Sequence, residues 1–207
     1  SGRVTALLID RLPKGKVIAI DGSASMVAKA RETLGDRAHV REGDLAQLEL
    51  DQEVDLVYSN AVFHWITDHE NLFGRLFAAL RPGGRLFAQC GGHGNVASLA
   101  EAIIEVAAQP RFAEHFAEMQ GMWNFATAED TEAVLSGVGF EDVRCWLQCK
   151  DVQPSEPIAF LETVTLGPHL ERLPDELKAP FVADVAAGMG EPLVLDYVRL
   201  NIEARRP

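Results

Sequence analysis

Lys16-Val17-Ile18-Ala19-Ile20-Asp21-Gly22-Ser23 is the stretch that decides how this chain folds. Val17 to Ile20 is apolar without alternation, the pattern of a strand covered on both faces in a parallel α/β sheet. Gly22-Ser23 ends the strand, and Ser23 is placed to cap a helix over 24–34. Asp21 therefore stands at the C-terminal edge of a parallel sheet, where open α/β folds bind their ligands. A carboxylate there accepts hydrogen bonds from both hydroxyls of a ribose, so the stretch points to a nucleoside-containing ligand.

The sequence on either side extends the alternation. Val4, Leu7, Leu8 and Leu12 share one helical face, and Pro13-Lys14-Gly15 ends it. Downstream, 38–42 reads as a short strand with Gly43-Asp44-Leu45 as its exit turn, and 54–59 as another strand. A helix over 70–80 stops at Arg81-Pro82-Gly83-Gly84. A strand over 84–90 follows, then a flexible turn at Gly91-Gly92-His93-Gly94. This order predicts an α/β fold: a doubly wound, Rossmann-like sheet, mostly parallel, with helices on both faces. The second half reads as a helical 95–118 broken at Pro110, a helix over 128–137 and a strand over 142–149. Two or three short helices over 154–190 and an alternating strand over 192–204 close it. The two late strands predict an antiparallel pair at the sheet edge. The expected organisation is one domain over 1–207, with helical cap insertions at 93–127 and 151–190 on the substrate side.

Composition narrows the function. At 207 residues the chain can bury one substantial core. A formal net charge of -12 argues against a binder of nucleic-acid backbone, and leaves small substrates open. Cys90, Cys145 and Cys149 lack paired metal spacing, as do His64 and His69, so no metal is expected. Thiols in this pattern read as the reduced cysteines of a cytoplasmic protein. No stretch approaches the roughly 20 apolar residues of a membrane span, and none reads as a signal peptide. The oligomeric state cannot be read from the sequence.

Five pieces, in order, carry a family resemblance. They are Ser1-Gly2-Arg3-Val4-Thr5, Ile20-Asp21-Gly22-Ser23-Ala24-Ser25-Met26, Glu42-Gly43-Asp44-Leu45, Asp55-Leu56-Val57-Tyr58-Ser59-Asn60-Ala61 and Leu80-Arg81-Pro82-Gly83-Gly84-Arg85-Leu86. Together they resemble the class I S-adenosylmethionine-dependent methyltransferases. Thr163-Val164-Thr165-Leu166-Gly167-Pro168-His169-Leu170, ahead of the last strand, is similar to the trans-aconitate methyltransferase branch. One departure stands out. The family's first strand and the opening of its glycine-rich loop should precede Ser1, so the domain is expected to be N-terminally incomplete. Ser1-Gly2 reads either as the tail of that loop or as a remnant unrelated to the fold.

The resemblance implies S-adenosylmethionine as cofactor and S-adenosylhomocysteine as product. It implies that Gly2 lets the backbone approach the cofactor, that Asp21, Gly22 and Ser23 take the ribose, and that Met26 packs near the adenosine. Asp44 would accept from the adenine amine, with Gly43 and Leu45 against the ring. Asn60 and Ala61 would face the methyl group. No Asn/Asp-Pro-Pro-aromatic motif follows the strand at Asn60, which weakens amino substrates. His64 is the candidate base for a hydroxyl acceptor, and a carboxylate acceptor, ionised at neutral pH, needs none. Trp65, His93, Trp123 and His169 are the candidate substrate contacts, with Asn124 beside them. The expected reaction is methyl transfer to a small molecule, most readily to an oxygen. Two alternatives stay open: an oxidoreductase using a dinucleotide of the NAD type, since such folds place an acid at the same strand end, and a non-catalytic S-adenosylmethionine-binding protein.

Overall fold

The computed structural model describes residues 1–117, 121 and 123–207. Its first half alternates as the sequence predicts: α1 (Arg3–Arg11), β1 (Ile18–Asp21), α2 (Ala24–Leu34), β2 (His39–Glu42), β3 (Val54–Asn60), α3 (His69–Ala79) and β4 (Leu80–Gly91). Three 3-10 turns punctuate it, at Gly35–Arg37, Leu45–Gln47 and Phe63–Trp65. The second half contains α4 (Ala97–Ala107), α5 (Ala113–Phe116), α6 (Ala128–Val138) and β5 (Glu141–Val152). There follow α7 (Pro157–Phe160), a π-type turn at Leu161–Thr165, α8 (Gly167–Leu170), α9 (Asp175–Met189) and β6 (Leu195–Arg205). The predicted end of the 95–118 helix at Glu118 lies outside the described residues.

Side-chain caps set the helix starts. Ser23 Oγ accepts from the Met26 N–H at 3.4 Å, Asp68 from Asn71 at 2.9 Å and Thr127 from Asp130 at 3.0 Å. Each satisfies a backbone donor that the helix itself leaves open.

The strands form a doubly wound, Rossmann-like α/β arrangement in two hydrogen-bonded sets, β1-β2 and β3-β4-β6-β5. β1 runs parallel to β2 and β3 to β4. β6 is antiparallel to both β4 and β5, so it alone is reversed within its set. The expected antiparallel pair does occupy the edge, with β6 second from the end and β5 outermost. The break between the sets leaves β1 and β3 each with a single strand partner. That corrects one expectation: Val17 to Ile20 are half-buried rather than covered on both faces, because the neighbouring strand position beside β1 is open.

Other readings shift for local reasons. Arg81-Pro82-Gly83-Gly84 does stop α3, yet it lies within β4: the pairing skips from Val54↔Leu80 to Leu56↔Arg85, and the extra residues bulge out of the ladder. Gly91-Gly92 is buried, not a flexible turn. A Cβ on Gly91 would stand 2.6 Å from Phe125 Cε1, and one on Gly92 2.6 Å from Leu147 Cδ2, so only glycine admits these neighbours. The 154–190 region, read as short helices, includes one of 15 residues, α9, with Pro180 inside it.

Three apolar clusters hold the fold. Leu72, Phe73 and Leu76 of α3 and Leu135 of α6 pack on Leu86, Leu200 and Ile202 of the four-stranded set. Leu99 and Ile103 of α4 pack with Phe181 and Val185 of α9, Leu161 and Leu195 in a second cluster. A small third one joins Val27, Ala30 and Leu34 of α2 to Val40 of β2. Each fully buried Leu or Phe contributes about 1.5–3 kcal/mol.

Candidate active site

The C-terminal ends of the strands carry the chemistry. Asp21 closes β1 and is exposed; its Oδ1 accepts from the Ser23 N–H at 3.0 Å, and Oδ2 has no partner among the described residues. Gly43 follows β2, and its N–H donates to the Asp21 carbonyl at 3.1 Å, tying the two strand ends together. Asp44 caps the Leu45–Gln47 turn through the Ala46 N–H at 2.9 Å, and its Oδ2 takes a weaker contact from Gln47 at 3.3 Å. Asn71 Nδ2 at the start of α3 donates to the Ala46 carbonyl at 2.8 Å and anchors that turn. Met26 sits in the first turn of α2, 42% exposed, so it is a surface group and not a core filler. Gly2 has φ 77°, and a Cβ there would lie 3.2 Å from Ala30 Cα. Its lack of a side chain thus serves close packing of α1 against α2.

These residues fit a nucleoside cofactor. Asp21 offers a free carboxylate oxygen at the sheet edge, and Asp44 keeps one oxygen held only by a weak side-chain contact. The geometry leaves Ser23 as a helix cap whose hydroxyl is also shared with Ser25 at 3.0 Å.

A second group gathers beyond β3. Asn60 ends the strand exposed, and Ala61 adopts φ 59°, a left-handed conformation that costs a non-glycine residue about 1–2 kcal/mol. The Ala61 N–H donates to the Gln89 carbonyl at 2.7 Å, which holds the turn. The chain then enters the Phe63–Trp65 turn, where Phe63 and His64 are buried and Trp65 is 48% exposed. Asn124 fastens a distant segment over this turn. Its N–H donates to the His64 carbonyl at 2.8 Å and its Nδ2 to the Thr67 carbonyl at 3.0 Å. Trp123 and Phe125 are thereby laid against Trp65 and His64, with ring centroids 6.2 and 5.8 Å apart respectively.

The result is a cavity of about 270 Å³ bounded by Ala61, His64, Trp65, Trp123, Phe125 and Arg199, among others. Arg199 projects from β6 on the same face as Tyr197, its guanidinium 4.1 Å from that ring's centroid. Among the described residues it has no carboxylate within ion-pair reach. His64 Nδ1 accepts from the buried Gly91 N–H at 3.2 Å. Burial, and then the nearby Arg199 charge, lower its pKa to about 4, so the imidazole is neutral at pH 7. Burial likewise pushes the Cys90 thiol up to about 11. A larger cleft, about 620 Å³, opens among Lys16, Val17, Arg37, His39 and Asp51. It lies at the opposite, N-terminal ends of the strands, away from Asp21 and Asp44.

Of the predicted substrate contacts, Trp65 and Trp123 line the cavity. His93 is exposed and outside it. His169 is buried in the second apolar cluster behind Trp123, 6.3 Å away ring to ring. The sequence reading missed Phe125, Tyr197 and Arg199. The alternation of β6 holds the one available signal: Tyr197, Arg199 and Asn201 share a face. No group of three or more His, Cys, Asp or Glu placed to hold a metal occurs among the described residues. No helix of the described residues is long and apolar enough to cross a membrane.

Comparison with known proteins agrees with this layout. A family model described as a methyltransferase domain matches residues 1–88. Trans-aconitate 2-methyltransferase of Deinococcus radiodurans is 30% identical over 225 aligned positions, covering 100% of this chain and 84% of that protein. The protein of the same name from Variovorax paradoxus is 33% identical over 187, covering 88% and 71%. Among solved structures, the YcgJ protein of Bacillus subtilis superposes with a TM-score of 0.60 at 14% identity, over 92% of this chain and 82% of its own. That likeness speaks for the fold, and the two enzyme sequences speak for the activity. The chain is thus a member of the class I S-adenosylmethionine-dependent methyltransferases, in their trans-aconitate methyltransferase branch, taking S-adenosylmethionine as cofactor and releasing S-adenosylhomocysteine.

Proposed function

We propose that this enzyme methylates a carboxylate oxygen of a small organic acid held in the aromatic cavity beside Ala61. One observation carries the reading: Arg199, a cation with no acidic partner among the described residues, borders that cavity. A guanidinium in a half-buried site takes a carboxylate with two parallel hydrogen bonds. The names of the two relatives, methyltransferases of a tricarboxylate, support the same class.

Asp21 would hold the ribose hydroxyls and Asp44 the adenine amine, with Gly22, Gly43 and Leu45 close to the bound nucleoside. When bound, S-adenosylmethionine supplies a methyl group on a cationic sulfur: the acceptor oxygen forms the new C–O bond as the S–C bond breaks, and the electron pair stays with sulfur. An ionised carboxylate has no proton to lose, so the protein's work is alignment and exclusion of water. Trp65, Trp123, Phe125 and Tyr197 furnish the apolar walls, and their ring faces also favour a nearby cation. The described parts of 93–127 and 151–190 would serve as the cap on this side, through Asn95, Trp123, Phe125, Val164 and Thr165 at the cavity. Net charge -12 and three free cysteines, two of them buried, support a small substrate rather than nucleic acid, met in the cytoplasm.

The test is a turnover panel read by S-adenosylhomocysteine release, with trans-aconitate, succinate, catechol and ethanolamine as acceptors. Acids are turned over, and Arg199→Met raises KM for them roughly 10–100-fold while leaving cofactor affinity unchanged. Turnover of catechol or ethanolamine without the acids would overturn the proposal.

A further inference from the structure

Deepening that reading, and resting on it only for the identity of the acceptor, we infer that His64 is a tautomer-locked hydrogen-bond donor that orients the acceptor, and not a base that deprotonates it. The lock is the backbone of Gly91. Its N–H points at His64 Nδ1 at 3.2 Å, and this amide is buried. A neutral imidazole that accepts at Nδ1 carries its proton on Nε2. Nε2 has no hydrogen-bond partner among the described residues, and the His64 ring lines the cavity.

The ring is not free to turn. Trp65 and Phe125 flank it at 5.1 and 5.8 Å between centroids, and the Asn124 N–H holds the His64 carbonyl. Gly91 cannot retreat easily either, because Phe125 and Asn95 already crowd its Cα. For Nε2 to receive a proton from a hydroxyl, the neutral ring must first carry its own proton on Nδ1, and the imidazolium that results keeps it there. In both states an N–H would face the Gly91 N–H. A buried amide would then lack an acceptor, at a cost of about 1–3 kcal/mol. The titratable and charged groups around the ring reinforce this. Among the described residues they are Arg199 of β6, whose charge disfavours protonation of the ring, the Cys90 thiol of β4, and Tyr197 of β6 in the same cavity. Burial holds the last two neutral.

The chemistry that remains is donation from Nε2–H to an oxygen. Arg199 provides the charge and His64 a directed bond to one carboxylate oxygen. The other oxygen keeps its lone pairs for the methyl group. A phenol or alcohol would gain nothing from such a donor, since it needs its proton removed.

Two measurements on the full chain decide this. Imidazole ¹⁵N NMR without any acceptor reports the tautomer directly. The expected result is an unprotonated Nδ1 and protonated Nε2 for His64 from pH 5.5 to 8.5; a protonated Nδ1 or a titration near the ordinary histidine value overturns the inference. The second is kcat/KM for trans-aconitate against pH, in wild type, His64→Gln and His64→Leu. A glutamine amide offers one acceptor for Gly91 and one donor for the substrate. We expect a flat profile from pH 6 to 9, His64→Gln within about fivefold of wild type, and His64→Leu reduced roughly 10–100-fold, mainly in KM, with cofactor affinity kept. Equal loss in both variants, with a wild-type profile falling below pH 6.5, identifies a base and overturns the inference. If wild type methylates no acid, the acceptor assignment fails while the NMR result still judges His64; if His64→Leu does not fold, His64→Gln and the NMR result suffice.

Discussion

The proposed cofactor side and the proposed acceptor side of this enzyme are assembled in opposite ways. On the cofactor side, the polar side chains offered to the ligand bond locally: Asp21 two residues away, Asp44 two and Ser23 three. The longer bonds, Gly43 to Asp21 and Asn71 to Ala46, only tie the strand ends and turn in place. Asp21 and Asp44 are exposed just at or after strand ends, and Ser23 is half-buried at the helix start. On the acceptor side, the contacts that set the geometry span the chain: Gly91 to His64 across 27 positions, Val198 to Asn95 across 103 and Gln89 to Asn201 across 112. Local geometry is portable between proteins that share a cofactor. Long-range geometry is where an acceptor pocket acquires its own shape, and it depends on many segments being in place together.

This contrast can be broken by mutation. Asp21→Ala should have the largest effect. It removes the carboxylate offered to the ribose, and cofactor affinity by calorimetry should fall about 100-fold, with the melting temperature within about 2 °C of wild type because the side chain is exposed. Unchanged affinity would remove Asp21 from the cofactor site. Asn124→Ala should act on the other side only. It deletes the bonds to the Ile66 and Thr67 carbonyls that steady the Trp123–Phe125 segment. Acceptor kcat/KM should drop about tenfold, with cofactor affinity intact. A matching loss of cofactor affinity would mean that the two sides are not separately built.

The smallest effect concerns acid stability. His169 is buried among Phe116, Trp123 and Phe181, and its Nδ1 has no partner among the described residues. Burial, then Arg172, lower its pKa from 6.5 to about 4. Between those values the unfolded chain binds a proton that the native one does not, so this histidine's contribution to stability is full above pH 6.5 and is lost as pH falls toward 4. His169→Leu should therefore lose less melting temperature than wild type between pH 7.5 and pH 5, and should be no less stable at pH 7.5 by more than about 1 kcal/mol. A wild-type-like acid limb in the variant would discount the role.

The same contrast explains what could be read from the residues alone. Alternation and breakers place nearly every element of the first half, and Asp21 and Asp44 declare themselves by standing just after apolar strands. Within the second half, β5 and β6 are visible by pattern, whereas α9 is not, because Pro154, Pro157, Pro168, Pro174 and Pro180 read as punctuation although Pro180 is carried inside the helix. Arg199 was hidden for a different reason. On a strand of mixed composition a charged residue normally faces water, and only the tertiary placement of Trp65, Trp123 and Phe125 makes its face the wall of a cavity. His93 and His169, attractive as residue types, are set aside by position: one lies on the surface and the other in the core.

The most direct test of the account is a crystal structure with S-adenosylhomocysteine and trans-aconitate bound together. The account predicts the nucleoside at Asp21 and Asp44, and an acid carboxylate against the Arg199 guanidinium with an oxygen within hydrogen-bond distance of His64 Nε2. An acid bound elsewhere, with Arg199 turned to a protein carboxylate, would contradict it.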